Sequence, residues 1–171
     1  MLFTLKEVVP TFTNFPICAG AKIGKGVSLG QNVFVGTNAG NSASNITGNN
    51  NVGIGQDTFR QLTNGSNNVA IGLDTLRNCV VSEELAIGAT ALKNLQNGAN
   101  NTAVGIAALR NIISASNNTA LGYQAAQSTT GSDNTVIGSN ALALATSGNL
   151  NVAVGASAMG TAVVTGGANV A

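Results

Sequence analysis

A six-residue motif that ends in glycine returns every 16 or 17 residues, and this period constrains the chain more than any other feature. The copies are NNVGIG (Asn50 to Gly55), NNVAIG (Asn67 to Gly72), EELAIG (Glu83 to Gly88), NNTAVG (Asn100 to Gly105), NNTALG (Asn117 to Gly122), DNTVIG (Asp133 to Gly138) and LNVAVG (Leu150 to Gly155). Their glycines are spaced 17, 16, 17, 17, 16 and 17 residues apart. An earlier, imperfect copy is QNVFVG (Gln31 to Gly36), and Ala168-Asn169-Val170-Ala171 opens a further one, so a longer array is expected. A short fixed period is the signature of a chain that stacks identical units, none of which can bury its apolar groups alone.

Within the motif, Ile, Val or Leu precedes the glycine (Ile54, Ile71, Ile87, Val104, Leu121, Ile137, Val154), and Val, Leu or Thr stands two residues earlier (Val52, Val69, Leu85, Thr102, Thr119, Thr135, Val152). This period-two pairing of mostly β-branched residues predicts a short strand with these side chains inward. Gly53, Ala70, Ala86, Ala103, Ala120, Val136 and Ala153 lie between them and are expected outward, as a small apolar face suited to close approach of partner chains. After the glycine come good helix formers, as in Ala89 to Leu95 and Ile106 to Ile113, which predict a short helical turn. Asn/Gly/Ser clusters then turn the chain back. The expected fold is mainly β: a parallel β-solenoid or β-roll of 16 to 17-residue coils, each with a short helical turn, assembled as a homotrimeric fibre.

Asn recurs four residues before the glycine, at Asn32, Asn51, Asn68, Asn101, Asn118, Asn134 and Asn151, with Glu84 as the interruption and Asn169 beginning the next copy. Two readings are open. Asn suits a turn; alternatively, side chains about 4.8 Å apart in a parallel stack form a hydrogen-bonded amide ladder.

Three segments are expected. Residues 1 to 16, with Phe, Pro10 and Pro16, read as an N-terminal anchor. Residues 17 to 48 form a β-region and transition in which Ile23-Gly24, Leu29-Gly30 and Val35-Gly36 recur every six residues. Residues 49 to 171 are the repeat solenoid.

Composition narrows the chemistry. Charged residues make up 8% and aromatics 4%, with neither Trp nor His, against about 25% charged in an ordinary globular domain. The formal net charge of +1 gives no general push toward nucleic acid or anionic membrane. No 18-residue apolar run is present for a membrane-spanning helix, and Lys6, Glu7, Pro10 and Pro16 make the start a poor signal peptide. Without His the common Ser/His and Cys/His nucleophile arrangements are excluded, and no cofactor or metal is expected. Asp57 and Asp74 occupy equivalent places in successive coils, but no aromatic sugar platform accompanies them, so the chain reads as a non-enzyme. Cys18 and Cys79 have no CxxC partner and read as buried free thiols.

One column stands out. Arg60, Arg77, Lys93 and Arg110 each fall five residues after their glycine and should share one edge. Such a stripe could contact an anionic partner; it could equally be a solvated edge, with Asp57 and Asp74 three residues before the first two Arg.

The unit N-[NT]-[VT]-A-[IVL]-G-x-x-A-L, as in Asn100 to Leu109 and Asn117 to Ala126 (NNTALGYQAA), resembles repeats of bacteriophage tail fibres. It is also similar to shorter head repeats of trimeric autotransporter adhesins. The likeness covers about Gln31 to Ala171 and implies a trimeric shaft that carries a receptor-binding region beyond this chain. An autotransporter implies a signal peptide and a C-terminal membrane anchor, whose patterns this sequence lacks. The expected role is therefore the structural shaft of a phage tail fibre or similar virion appendage involved in host attachment. Its chains would be made in the host cytoplasm and joined through residues 1 to 16 to other virion proteins. A secreted trimeric adhesin that binds matrix or glycan is the alternative.

Overall fold

The computed structural model describes residues 31–41, 46–144, 147–160 and 165–171. The anchor expected at residues 1 to 16, Cys18 and most of the six-residue periodicity lie outside them. Eight three-residue strands follow one another in sequence: β1 (Val33–Val35), β2 (Val52–Ile54), β3 (Val69–Ile71), β4 (Leu85–Ile87), β5 (Thr102–Val104), β6 (Thr119–Leu121), β7 (Thr135–Ile137) and β8 (Val152–Val154). Each pairs in parallel with its sequence neighbours, and equivalent residues face each other throughout, for example Ala103 with Ala120 and Val104 with Leu121; Val152 of β8 also bridges Val170 in parallel. This is a parallel β-solenoid. At about 4.8 Å per strand, the seven steps from β1 to β8 span roughly 34 Å.

Coils of 16 and 17 residues share one register because the difference is absorbed at a corner. Three residues separate Leu62 from Ser66, whereas two separate Cys79 from Ser82, and the strands that follow align regardless.

The strand faces are the reverse of those expected. The middle residues Ala70, Ala86, Ala103, Ala120, Val136 and Ala153 are fully buried, while the flanking Ile, Val and Leu are half-buried or exposed. The reason is volume. Across the thin coil the inner space is already filled by Phe59, Leu76, Leu92, Leu109 and Leu142, four residues after each glycine, and by Leu62, Cys79, Leu95 and Ile112, seven after. Little more than a methyl group fits opposite them. Gly53 shows the limit: a Cβ there would stand 2.9 Å from the rings of both Phe34 and Phe59. Those rings meet edge-on with centroids 5.9 Å apart. An Ala face outside the coil therefore does not exist, and no argument for partner chains can rest on it.

The helical turn is also replaced. Among the described residues no helix forms; each glycine opens two consecutive β-turns. In the coil after Gly88 the amide of Ala91 donates to the carbonyl of Gly88 (3.1 Å) and that of Leu95 to Leu92 (3.3 Å). The backbone is left-handed two and four residues after the glycine, as at Thr90 (φ 60°) and Leu92 (φ 48°). Thr90 is the third residue of the Gly88–Ala91 turn, where a positive φ is the type II geometry. It turns successive N–H groups toward opposite neighbours: Thr90 donates back to Leu73 (2.8 Å) and Leu92 forward to Ala108 (3.1 Å). A helix would spend these groups within the coil and leave the stack unpaired.

The glycine itself has φ between 127° and 140° in the seven coils from Gly55 to Gly155. At Gly122 a Cβ would lie 2.5 Å from the carbonyl oxygen of Gly138 in the next coil. Only glycine combines that φ with so close an approach of two backbones.

Candidate functional site

Each Asn-Asn pair divides two tasks. The first residue, at Asn50, Asn67, Asn100 and Asn117, is exposed and has φ between 58° and 61°; Glu83, Asp133 and Leu150 take the same conformation in their coils. Asn and Asp tolerate this left-handed region better than other side chains. The second residue is buried and faces the stack axis. The amide Nδ2 of Asn51 donates to Oδ1 of Asn32 (2.9 Å), Asn68 to Asn51 (2.9 Å), Asn118 to Asn101 (3.2 Å), Asn134 to Asn118 (3.0 Å), Asn151 to Asn134 (2.9 Å) and Asn169 to Asn151 (2.8 Å). The same oxygens accept the backbone N–H of the following Asn at 2.9 to 3.1 Å. Spare Nδ2 hydrogens reach corner carbonyls, as from Asn51 to Gly65 (2.9 Å) and Asn101 to Ala115 (3.0 Å). A buried amide column is tolerable because its members satisfy one another.

Glu84 occupies one rung. It is buried, and its carboxylate accepts the backbone N–H of Asn101 at Oε2 (3.0 Å) and Nδ2 of Asn101 at Oε1 (3.3 Å). On its other side Glu84 offers only its backbone N–H to Oδ1 of Asn68 (2.9 Å). Burial pushes its carboxyl up to about 7, against the opposing hydrogen bonds from Asn101 and with added repulsion from Glu83. Cys79, a free thiol in the core column of the same coil, is pushed up to about 12, also by burial. That sulfur is an inert filler rather than a nucleophile.

Arg60, Arg77, Lys93 and Arg110 lie on the second turn of four successive coils. Backbone bonds hold this edge in register: Gln61 N–H donates to the Arg77 carbonyl (3.0 Å), Asn78 to Lys93 (3.1 Å) and Asn94 to Arg110 (3.3 Å). Asp57 pairs with Arg60 (3.4 Å) and Asp74 with both Arg77 (3.5 Å) and Lys93 (2.9 Å). Burial would raise the Asp57 carboxyl, but hydrogen bonds from Asn38 and Gln56 and the charges of Arg60 and Arg77 leave it lowered. Both carboxylates thus serve as counter-ions. Arg110 forms no ion pair among the described residues, and its buried Nε lacks a hydrogen-bond partner there.

Two further columns escaped sequence reasoning. Beside the cations, Asn78 Nδ2 donates to Asn94 (3.2 Å), Asn94 to Asn111 (3.5 Å) and Asn111 to the Ser128 hydroxyl (3.2 Å). At the opposite corner Ser82, Ser116 and Ser132 accept the N–H of Ser66, Ala99 and Ser116 in the preceding coil (2.9 to 3.1 Å). Their signal was recurrence six residues after and six before each glycine.

A further surface is the outward face of the strands. Ile54, Ile87, Leu121, Ile137 and Val154 are 37 to 55% exposed, and Leu73, Ile106 and Tyr123 extend the patch beyond the glycine corner. No helix among the described residues is long and apolar enough to cross a membrane. Comparison with protein-family models, curated proteins and solved structures gave no match.

Proposed function

We propose that the chain is a structural shaft of a phage tail fibre or similar virion appendage, assembled as a parallel homotrimer. The observation that carries this reading is the aliphatic strand face, which runs the length of a stack stiffened by the buried amide ladder. Its aliphatic side chains recur at one place in successive coils, so the exposed groups form a column rather than scattered single residues, and contiguous exposed apolar surface is what marks an interface. The cation column lies on the second turn after each glycine and not on the strand face, so close approach along the strands does not bring the cations together.

The face also has a direction. Its first column is Val33, Val52, Val69 and Leu85 in β1 to β4, then Thr102, Thr119 and Thr135 in β5 to β7, before Val152 returns in β8. Parallel neighbours in register place aliphatic against aliphatic and Thr against Thr, whose hydroxyls can bond to one another. An antiparallel neighbour would set Val52, Val69 and Leu85 against Thr135, Thr119 and Thr102. The repeat resemblance supports three chains, and residues 1 to 16 are the segment assigned to other virion proteins.

Antibody raised against the solenoid and applied to virus particles from the cells that produce this protein tests the location. Label along a thin appendage is expected. Label confined to free protein, with none on particles, would remove the virion reading.

A further inference from the structure

All cations among the described residues, Arg60, Arg77, Lys93 and Arg110, occupy one position of four successive coils. Pairing with Asp accounts for only part of this column. Asp57 and Asp74 stand three residues before the first two Arg, but Thr90 and Ala107 stand at that place before Lys93 and Arg110. Lys93 shares Asp74 with Arg77, and Arg110 has no ion pair among the described residues, so two carboxylates face four cations. Unit charges one coil apart repel by roughly 1 kcal/mol in water, so an unbalanced column is unfavourable unless something anionic lies along it. Arg110, with its unpartnered buried Nε, marks the unbalanced end.

We propose that this edge binds a linear carboxylated polysaccharide lying along the stack. The cations take the carboxylates, and the adjoining amides of Asn78, Asn94 and Asn111 offer donors and acceptors to the hydroxyls. A single-stranded nucleic acid fits less well, because binding of that kind uses aromatic platforms for the bases. Among the described residues no exposed aromatic side chain shares the cation edge: Phe59, beside Arg60, is buried in the core, and the exposed Tyr123 belongs to the strand-face patch. The proposal is independent of the shaft reading, since it concerns the second turn of the coil and not the strand face.

The test is calorimetric titration of the full chain with polygalacturonate fragments at low ionic strength, with dextran and poly(dT) as comparators. Polygalacturonate should bind, more weakly as salt rises, with dextran silent and poly(dT) weaker. K93Q/R110Q should lower the affinity about tenfold or more, as expected for loss of charge-assisted bonds. D74N, which releases Arg77 and Lys93, should tighten binding while circular dichroism stays unchanged. Absence of binding by the native chain, equal affinity of K93Q/R110Q, or tighter binding of poly(dT) would each overturn the proposal.

Discussion

Replacing Asn118 by Ala removes one rung of the ladder, and its effect can be worked out from the neighbours. Oδ1 of Asn118 accepts both the backbone N–H (3.0 Å) and Nδ2 (3.0 Å) of Asn134. Its own Nδ2 donates to Asn101 (3.2 Å) and to the Ser116 carbonyl (3.2 Å). The two acceptors keep other donors: Asn101 Oδ1 retains the N–H of residue 118 (3.1 Å) and Ser116 retains that of Asp133 (3.0 Å). Asn134 loses the acceptor for its backbone N–H and for one side-chain hydrogen, both in buried surroundings. At about 1 to 3 kcal/mol for each buried donor left unmade, Asn118→Ala should destabilise by roughly 2 to 6 kcal/mol. Its neighbour provides the control. Asn117 is exposed at φ 58°, and its side-chain bonds with Asn100 (3.4 Å) and Asp133 (2.9 Å) lie in solvent, so Asn117→Gly keeps the backbone conformation at a loss of only about 1 kcal/mol. The assay is urea unfolding combined with hydrogen exchange, which reads local opening in a stack where coils open individually. The Asn134 amide should exchange about 30-fold faster or more in Asn118→Ala, and little faster in Asn117→Gly. Equal, small effects of the two substitutions would refute the ladder as a source of stability.

Other expectations follow from single residues. Glu84→Asn restores the amide rung. Because the folded-state carboxyl is raised from 4.5 to about 7, the native protein should lose stability as pH rises through that interval. The variant should not, so it gains about 3 kcal/mol above pH 8 and little of this below pH 4.5; denaturant midpoints across pH read the difference. Gly122→Ala forces a Cβ to 2.5 Å from the Gly138 oxygen at φ 140° and should destabilise by more than about 2 kcal/mol in thermal unfolding. Thr129→Val removes a buried hydroxyl with no hydrogen-bond partner among the described residues, and should raise the denaturation midpoint by the equivalent of about 1 kcal/mol.

The period, parallel order and register were legible because the glycine at the strand end recurs in every coil. Which face lay inside was not. Alternation in Val-Ala-Ile distinguishes two faces, but the occupant of the interior depends on what the opposite wall contributes. The one local hint was Gly53 in the coil where Phe59 replaces the usual Leu. The expected helix failed for a related reason: Ala89 to Leu95 has helix-forming side chains, yet the stack needs every coil to share its N–H groups with neighbours. Asn38, Asp57, Asp74 and Asn140, residues that accept positive φ, were its sequence trace. In the candidate sites, the cation column could be placed from spacing alone. The isolation of Arg110 could not, since it depends on side-chain geometry rather than coil position.

Sedimentation equilibrium of the native chain beside I87K/L121K tests the central claim most directly. Both substitutions lie on the exposed strand face and leave the core untouched. The native protein should sediment at three times the chain mass, and the variant as a monomer with unchanged circular dichroism. A native monomer would contradict the account, and a variant that stays trimeric would show that the chains meet elsewhere.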